Sequence, residues 1–259
     1  MVKLKAVKEF LESLVPLYYQ DSWDNSGLQF GDEEKEISKV GFALSPSIAV
    51  IEEAKNAEID LLITHHPLTI SGVKRFTFST YPSNLLIRLI RSDIALYALH
   101  TNLDVSPLGP TAVIADLLGV EIESSIVENP PYGAVGTLKM EATQAELLKR
   151  LTSVLPKDVF RTVNFNGEKP VRKVAICSGS GASFIDLVAG KVDLYITGDV
   201  KYHDAMKAVD LELTLFDMGH FGTERLFYIK LKEKLAKAFP ELELITLDEK
   251  SPFEVVRDA

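Results

Sequence analysis

The sequence predicts an α/β protein made of two related α/β halves, each with a mixed sheet flanked by helices. Three observations support this prediction. Strand-like apolar runs alternate with helix-like segments, the same βαβ pattern returns about half a chain later, and the stretch "ENPPYGAVG" between the copies holds two prolines and two glycines. We therefore expect a first half at residues 1–127 and a second half at residues 128–259.

The elements of the first half follow from its apolar periodicity. The segments "KVGFALS" and "IDLLIT" predict strands, and "SIAVIEEAKNAE" between them predicts a helix, so the three make a βαβ unit. A third strand is predicted in "IALYALHTNLD" and a helix after it in "TAVIADLLG". Strands joined by helices in this way normally form a parallel or mixed sheet with helices on its faces.

The second half repeats this order. The segment "KVAICSGSGASFIDLVAGKVDLYITGD" aligns with "KVGFALSPSIAVIEEAKNAEIDLLITHH" with a gap of one residue. The aligned pairs are Val174 with Val40, Asp193 with Asp60, and Thr197 with Thr64. A strand in "LTLFDMGHFGTE" and a helix in "ERLFYIKLKEKLAKAF" follow. Any two βαβ units look alike, but the matching strand ends favour an internal duplication.

The composition and charge limit the class of partner. Of the 259 residues 46% are hydrophobic, which is typical of a globular protein, and the formal net charge of −9 argues against broad binding to nucleic acid or to anionic membranes. Cys177 is the only cysteine, so no intrachain disulfide can form and a reducing, cytoplasmic setting is expected. No apolar run approaches the roughly 20 residues that a membrane helix needs, and the first residues lack the apolar core of a signal peptide.

The histidines share one position in the predicted fold. Each comes just after a predicted strand, on the carboxyl-end side, where open α/β sheets bind ligands. They are His65, His66, His100, His203 and His220. Two of these strand ends also carry a carboxylate four residues further on, Asp104 after His100 and Glu224 after His220. His220 and Glu224 would share one face of a helix that begins at His220.

Imidazole and carboxylate groups in this number are typical of a transition-metal site. Two adjacent histidines, an aspartate and the H-x-x-x-E pair supply three imidazoles and two carboxylates, which suits Zn, Fe, Mn, Ni or Co. This set is larger than one tetrahedral ion requires, and a carboxylate can bridge two ions. Two divalent transition-metal ions per chain are therefore the favoured interpretation. The alternative is that His65 and His66 are surface residues at a strand end.

Five sequence blocks occur in a fixed order from residue 23 almost to the end of the chain. They are "WDNSGLQFG", "LLITHHPL", "HTNLD", "TGDVKYHDA" and "GHFGTE". "HTNLD" alone has little weight, but the ordered set resembles the signature blocks of the GTP cyclohydrolase type 2-like family, also called the Nif-three-like family, with its YbgI-type members. This resemblance implies two α/β domains with a dinuclear metal site in the cleft between them, and a toroidal homohexamer.

The resemblance also implies a role for each ligand-type residue. His65 and His220 would hold one ion. His66 and Asp104 would hold the other, and Glu224 would bridge the two. His65 and His66 are then expected to point apart, each toward a different ion. The segment "SPLGPTAVIADLLG" departs from the family pattern, because it lacks the Asn-Asp usually found ahead of that helix; this leaves the start of the helix open but not the ligands.

Several neighbouring positions have two interpretations. Asp199 and His203 lie at the mouth of the site as outer-shell partners or a proton shuttle, as does His100. Alternatively, Asp199 caps a helix and His203 faces solvent. The segment "CSGSGASF" either presents backbone N–H groups to an anion at a helix N-terminus or is an ordinary tight turn, with Cys177 as a buried apolar residue.

Polar and aromatic residues near the double histidine are further candidates. Lys74 and Arg75 either contact a substrate phosphate or are simply solvated. Asp24 and Asn25 either lie near the site or only form a turn. The nearby aromatic residues, which form either a rim of the site or a subunit contact, are Phe76, Phe78 and Tyr81.

The leading functional hypothesis is a dinuclear metal-dependent hydrolase of a small anionic substrate, phosphorylated or nucleotide-like. Two ions would generate hydroxide near neutral pH and offset the charge of the substrate, while His100 or His203 would move protons. The family name, taken literally, makes the reaction the hydrolytic opening of the GTP imidazole ring. One alternative is a non-catalytic metal-binding or protein-interaction ring. Another is a ring that encloses nucleic acid, against which the acidity of the chain argues.

Overall fold

The computed structural model describes residues 1–254, which form two units with one large sheet each. The first unit consists of Met1–Ser106 and Tyr228–Glu249, and the second of Pro107–Phe227 with the segment that starts at Lys250. The prediction of an α/β fold with two sheets flanked by helices is confirmed. Among the helices of residues 1–254, none is long and apolar enough to cross a membrane.

Strands and helices alternate along most of the chain. The strands are β1 (Val2–Lys3), β2 (Gly27–Phe30), β3 (Glu36–Ile37), β4 (Lys39–Ala43), β5 (Leu61–Thr64), β6 (Ala95–Ala98), β7 (Val120–Ser124), β8 (Ala134–Thr143), β9 (Arg161–Val163), β10 (Pro170–Ser180), β11 (Leu194–Gly198), β12 (Leu215–Asp217) and β13 (Glu243–Thr246). The helices are α1 (Leu4–Leu14), α2 (Ile48–Asn56), α3 (Ser83–Ser92), α4 (Thr101–Asp104), α5 (Pro110–Leu118), α6 (Gln144–Val154), α7 (Ile185–Val188), α8 (Tyr202–Asp210), α9 (His220–Glu224) and α10 (Tyr228–Ala238).

The sheet of the first unit has the strand order β13-β4-β5-β6-β2. Its first four strands are parallel, and β2 pairs antiparallel with β6 at the edge. Strands β5 and β6 are buried along their whole length. One core cluster joins Ile51 of α2 and Leu89 of α3 to Leu62 and Leu96 of these strands. Continuous apolar runs such as "LLIT" fit central strands of a sheet that is covered by helices.

The sheet of the second unit has the order β7-β8-β10-β11-β12-β9. Strands β10, β11 and β12 are parallel, and the remaining pairs are antiparallel. Consecutive residues of β11 face opposite sides of this sheet. Ile196 packs in a cluster with Leu151 of α6, whereas Tyr195 packs in a separate cluster with Ala208 of α8. Both faces of the sheet are therefore covered.

The two units do not divide the chain at the residues expected from the sequence. The predicted boundary, between residues 127 and 128, falls inside the second unit. There the segment "ENPPYGAVG" connects β7 to β8, which pair antiparallel. The last helix and strand belong to the first unit, because β13 adds to its sheet beside β4. A Pro- and Gly-rich stretch thus marks a connection within one sheet and not the division between the units.

The two central strand pairs match each other in register. Val40 lies opposite Leu61 in the first sheet, and Val174 lies opposite Leu194 in the second. These are the positions that the sequence alignment places together. The shared register is the structural counterpart of the sequence repeat.

An aspartate makes the same hydrogen bonds in both units. Oδ2 of Asp60 accepts from the N–H groups of Ser38 and Lys39, at 2.8 and 3.0 Å. Oδ2 of Asp193 accepts from the N–H groups of residues 172 and 173, at 3.0 and 2.8 Å. Each carboxylate therefore joins the start of its strand to the start of the strand beside it, which aligns the two strands along their length.

Three element boundaries differ in detail from the sequence prediction. The segment "CSGSGASF" begins inside β10, and the helix after it, α7, has only four residues. Glu224 belongs to the separate short helix α9, and the long helix predicted there begins at Tyr228. The open question about α5 is answered by Pro110, its first residue, whose fixed φ and missing N–H suit that position.

We expect Asp60→Ala to lower the free energy of unfolding by about 1–2 kcal/mol at neutral pH, because backbone N–H donors lose a charged acceptor. Burial raises the pKa of Asp60, but the hydrogen bonds from Ser38 and Lys39 outweigh it and lower the pKa below its ordinary value. This carboxylate therefore stabilises the fold above about pH 4, its pKa in the unfolded chain, and the contribution is lost as the pH falls through the lowered value.

Urea unfolding of the wild type and Asp60→Ala, at neutral pH and well below pH 4, measures this contribution. Asp210→Ala is the matched control, because Asp210 is exposed at the end of α8. We expect the stability difference for Asp60→Ala to shrink in acid and the control to remain close to the wild type. A difference that stays constant with pH would contradict this role of the Asp60 carboxylate.

Candidate metal centre

Two adjacent histidines follow strand β5 at its carboxyl end. The Thr64 hydroxyl donates to the His66 carbonyl (2.7 Å), and the His66 N–H donates to the Leu44 carbonyl (2.9 Å). The rings of His65 and His66 have different partners, the Leu99 carbonyl and the Ser45 hydroxyl. Their ring centroids lie only 5.2 Å apart. This distance does not decide whether the two imidazoles point toward one ion or toward different ions, so the expected assignment to different ions stays a prediction.

The ring of His100 completes a group of three imidazoles, which we call the three-histidine group (His65, His66 and His100). The His100 centroid lies 5.3 Å from that of His65 and 5.6 Å from that of His66. One ring nitrogen of each histidine lies within 4.8 Å of the others. His65 is buried, and the other two are partly exposed. The group lies at the carboxyl ends of β5 and β6, where parallel sheets commonly bind ligands.

Hydrogen bonds on Nδ1 orient these rings. Nδ1 of His65 lies 2.7 Å from the Leu99 carbonyl oxygen. A carbonyl can only accept, so Nδ1 of His65 carries the proton and the neutral ring has its lone pair on Nε2. Nδ1 of His100 lies 2.7 Å from a carboxylate oxygen of Asp24, which gives the same tautomer. Nδ1 of His66 faces the Ser45 hydroxyl at 2.7 Å, an arrangement that suits either tautomer.

The Asp24 carboxylate is a structural part of this group. Its side chain is buried, and it accepts from the N–H of Asn25 (2.7 Å) and from the N–H and hydroxyl of Thr101 (3.1 and 2.5 Å). Burial raises the pKa of Asp24, but the hydrogen bonds from His100 and Thr101 outweigh it and hold the pKa well below its usual range. Asp24 therefore both forms the turn and contacts the site, which the sequence had left as alternatives.

The carboxylate of Asp104 adds an oxygen donor to the three-histidine group. Helix α4 begins directly after His100 and ends at Asp104. Oδ1 of Asp104 lies 3.5 Å from Nε2 of His65. The H-x-x-x-D spacing thus brings a carboxylate to the side of His65 that bears the lone pair.

In the second unit, His220 and Glu224 form a close pair. Helix α9 begins at His220, so the two residues share one helix face, as predicted. Nε2 of His220 lies 2.8 Å from Oε2 of Glu224, and its Nδ1 lies 2.7 Å from Oδ2 of Asp199. Glu224 is only 5% exposed. One imidazole therefore lies between two carboxylates.

These two carboxylates create a strongly negative environment around His220. Burial lowers the pKa of His220, but the hydrogen bonds and charges of Glu224 and Asp199 outweigh it and raise the pKa to about 10. An environment that stabilises a proton on the imidazole also favours a bound metal cation. Metal binding at His220 must then displace that proton, because a metal ligand requires the neutral ring.

Gly179 packs directly against Glu224. A Cβ atom added at Gly179 would lie 1.9 Å from Oε1 of Glu224, and the φ of +64° also favours glycine. The Gly179 N–H donates to the Thr223 hydroxyl (2.9 Å). Gly179 therefore fixes the position of the glutamate. The surrounding Gly-Ser-Gly segment was expected to bind an anion or to form a tight turn, and its spacing gives no sign of this contact with Glu224.

Asp158 caps α9 from another part of the chain. The residue before α9, Gly219, has no side chain that can cap the helix. Oδ2 of Asp158 accepts from the N–H of Gly222 (3.0 Å), which is the bond that a capping side chain normally makes. A Cβ on Gly219 would lie 2.2 Å from the same oxygen. Nothing in the local sequence predicts this contact, because the capping residue lies 64 positions away from its partner.

Other predicted site residues lie apart from these contacts. His203 is exposed on the first turn of α8, and its ring packs against Tyr202, with the centroids 5.3 Å apart. The alternative in which Asp199 caps this helix is wrong, because the capping position of α8 is Lys201.

The two basic candidates near the double histidine, Lys74 and Arg75, are exposed. The nearby aromatic residues Phe76, Phe78 and Tyr81 are exposed as well, and Cys177 is buried, as expected.

The donor atoms of the first unit suit a transition-metal ion, and the second unit supplies one further imidazole and one further carboxylate. The first unit offers three imidazoles and the Asp104 carboxylate, and the second offers His220 and Glu224. Imidazole nitrogen suits Zn, Fe, Mn or Ni, whereas Mg²⁺ and Ca²⁺ prefer sites built from oxygen atoms alone. The Nδ1 partners of His65, His100 and His220 match the outer-shell acceptors that metal-binding histidines usually have.

We expect Gly179→Ala to displace Glu224 and to lower the free energy of unfolding by more than the roughly 1 kcal/mol that a strained positive φ costs alone. Gly190→Ala is the matched control, because Gly190 has a similar φ of +72° but an added Cβ would meet nothing within 4 Å. Urea unfolding and zinc affinity of both variants measure the two effects. Equal losses of stability and of zinc affinity in the two variants would show that the contact between Gly179 and Glu224 contributes to neither.

Comparisons with known proteins give the family. The model of the family described as Duf34/NIF3 (NGG1p interacting factor 3) matches residues 2–252. The chain is 36% identical over 253 residues to a GTP cyclohydrolase 1 type 2 homolog of Campylobacter jejuni, with 98% of this chain and 99% of that protein covered. It is 37% identical over 256 residues to a GTP cyclohydrolase 1 type 2 homolog of Methanocaldococcus jannaschii, with 95% and 100% covered.

One solved structure is similar to this chain over almost its whole length. Reduced HcgD from Methanocaldococcus jannaschii is similar with a TM-score of 0.83 at 34% identity, and the match covers 96% of this chain and 98% of that one. The resemblance drawn from the five sequence blocks is confirmed. The chain belongs to the Duf34/NIF3 family.

Proposed function

We propose that this protein is a dinuclear metal-dependent hydrolase that acts on a small, phosphorylated or nucleotide-like substrate. The three-histidine group is the observation that carries the proposal, because its rings converge and acceptors fix Nδ1 of His65 and His100. Histidines that merely face solvent do not usually have their Nδ1 atoms fixed by protein acceptors in this way. Relatives named GTP cyclohydrolase 1 type 2 homolog make GTP the first substrate to test.

The proposed ligands are those that the family resemblance implies. They are His65, His66, Asp104, His220 and Glu224, and they would bind two divalent transition-metal ions per chain, with Zn, Fe, Mn and Ni as the candidates. Such ions supply hydroxide near neutral pH and stabilise anionic charge on a substrate. This second effect suits a chain with a formal net charge of −9, which otherwise repels anions.

His100 is the proposed proton carrier of the reaction. Its Nδ1 is bound to Asp24, so its Nε2 is the atom that can accept and return a proton. The low pKa of Asp24 keeps this carboxylate ionised, and an ionised carboxylate stabilises the imidazolium formed when His100 accepts the proton. His203, exposed on α8, is proposed to exchange protons with solvent.

The family resemblance and the single cysteine also bear on the assembly and the location of the protein. We propose a homo-oligomer, with the ring-shaped hexamer of the family resemblance as the specific form. The exposed side chains of Phe76, Phe78 and Tyr81 supply apolar surface for a contact between subunits. A cytoplasmic location is proposed because the single cysteine is buried and reduced.

We expect purified wild type to hold about two transition-metal ions per chain, and His66→Ala and Glu224→Ala to hold markedly fewer. Elemental analysis after addition of Zn, Mn or Fe and removal of excess metal makes this measurement. His203→Ala is the matched control and is expected to keep the metal content of the wild type, because His203 is exposed and is not a proposed ligand. The absence of bound metal in the wild type would rule out the dinuclear centre.

Turnover separates the hydrolase from a non-catalytic metal-binding ring. Metal-loaded protein is expected to hydrolyse GTP or a simple phosphoester at a rate well above that of Glu224→Ala. A catalytic site keeps a coordination position open for water or substrate, whereas a structural site does not. Full metal loading without turnover above that of Glu224→Ala would therefore favour the non-catalytic metal-binding ring.

A further inference from the structure

Trp23 lies beside the three-histidine group and is largely exposed. It is the only tryptophan of the chain, and 55% of its surface faces solvent. Its ring stands nearly perpendicular to that of His100, at an interplanar angle of 78° with the centroids 5.9 Å apart. A perpendicular contact occupies one edge or one face of the indole, so much of the ring remains available next to the three-histidine group.

The loop that carries Trp23 is fixed to the segment that follows His100. Asp24 accepts from both the N–H and the hydroxyl of Thr101. On the other side of Trp23, the Asp21 N–H donates to Oγ1 of the same threonine (3.0 Å), and the Asp24 N–H donates to the Asp21 carbonyl (2.9 Å). The backbone around Trp23 is therefore held before any ligand arrives, which reduces the entropy lost on binding.

We propose that Trp23 is a stacking platform for the planar heterocyclic base of a nucleotide substrate. This inference rests on the proposed function and names its substrate class. An indole face offers a base a large contact area without reading its hydrogen-bonding edge. A nucleotide would place its base on Trp23 and have its anionic groups near the metal ligands, because His100 contacts the indole directly.

The position of Trp23 distinguishes it from the other exposed aromatic residues. Phe76 and Tyr81 are also exposed, at 62% and 78%, and are proposed here as subunit contacts. The ring of Trp23 contacts that of His100, a member of the three-histidine group. A role in substrate binding accounts both for the exposure of the Trp23 ring and for its contact with His100.

The single tryptophan makes the test direct, because all tryptophan fluorescence reports on this site. Zinc-loaded full-length protein is titrated with GTP, and in parallel with ribose 5-phosphate, which has the sugar and phosphate but no base. N-acetyltryptophanamide corrects for absorption by the nucleotide. We expect GTP to change the fluorescence in a saturable manner and ribose 5-phosphate to leave it unchanged at equal concentration.

Substitutions of Trp23 test whether its aromatic ring is what binds GTP. Equilibrium dialysis of GTP is expected to show affinity about 5- to 150-fold lower for Trp23→Leu than for the wild type, as expected for loss of one base–aromatic stack. Trp23→Phe should recover most of this loss, since it restores an aromatic face. Tyr81→Leu is the control and should bind GTP like the wild type. Circular dichroism and zinc content establish that each variant is folded and loaded.

Three results would overturn the proposal. They are unchanged GTP affinity in folded Trp23→Leu, no saturable response of the wild type to GTP, and a Trp23→Leu variant whose only change is a smaller assembly by light scattering. The last result would assign the indole to a contact between copies of the chain. The zinc content and the hydrolysis of a base-free phosphoester are measured on the same samples, so failure of the platform is distinguishable from failure of the metal-dependent hydrolase.

Discussion

The hydrogen bond from Nδ1 of His65 to the Leu99 carbonyl is the constraint on which the candidate centre depends. The Leu99 N–H donates to the Thr64 carbonyl (2.9 Å), so the last bond of the β5–β6 pairing also sets the position of the acceptor. Because a carbonyl cannot donate, His65 is held in the tautomer whose Nε2 can bind a metal. Regular strand pairing thus determines the chemistry of a buried imidazole at its end.

The second unit repeats this strand end with one change. The Met218 N–H donates to the Thr197 carbonyl (2.8 Å), as Leu99 does to Thr64. One additional residue, Gly219, then follows, so His220 is the first residue of α9, whereas His100 precedes α4. The carboxylates that hold the two histidines also come from unrelated positions, Asp24 before β2 and Asp199 after β11. The repeat therefore conserves the strand pairing, while the groups around each histidine differ.

What the sequence predicted correctly depended on local spacing and on the internal repeat. The strand ends with histidines and the shared face of His220 and Glu224 follow from spacing over a few residues, and the equivalence of Asp60 and Asp193 follows from the alignment of the two copies. The capping of α9 by Asp158 and the return of the C-terminal strand to the first sheet depend on contacts between distant segments, for which one sequence contains no signal.

Anomalous diffraction from crystals of the zinc-loaded protein locates the bound ions without reference to activity. We expect an anomalous peak at the three-histidine group, about 2.0–2.1 Å from Nε2 of His65, with Nδ1 still bonded to the Leu99 carbonyl. A fully loaded crystal with no peak at this group, or an ion bound through Nδ1 of His65 with the Leu99 hydrogen bond broken, would contradict it.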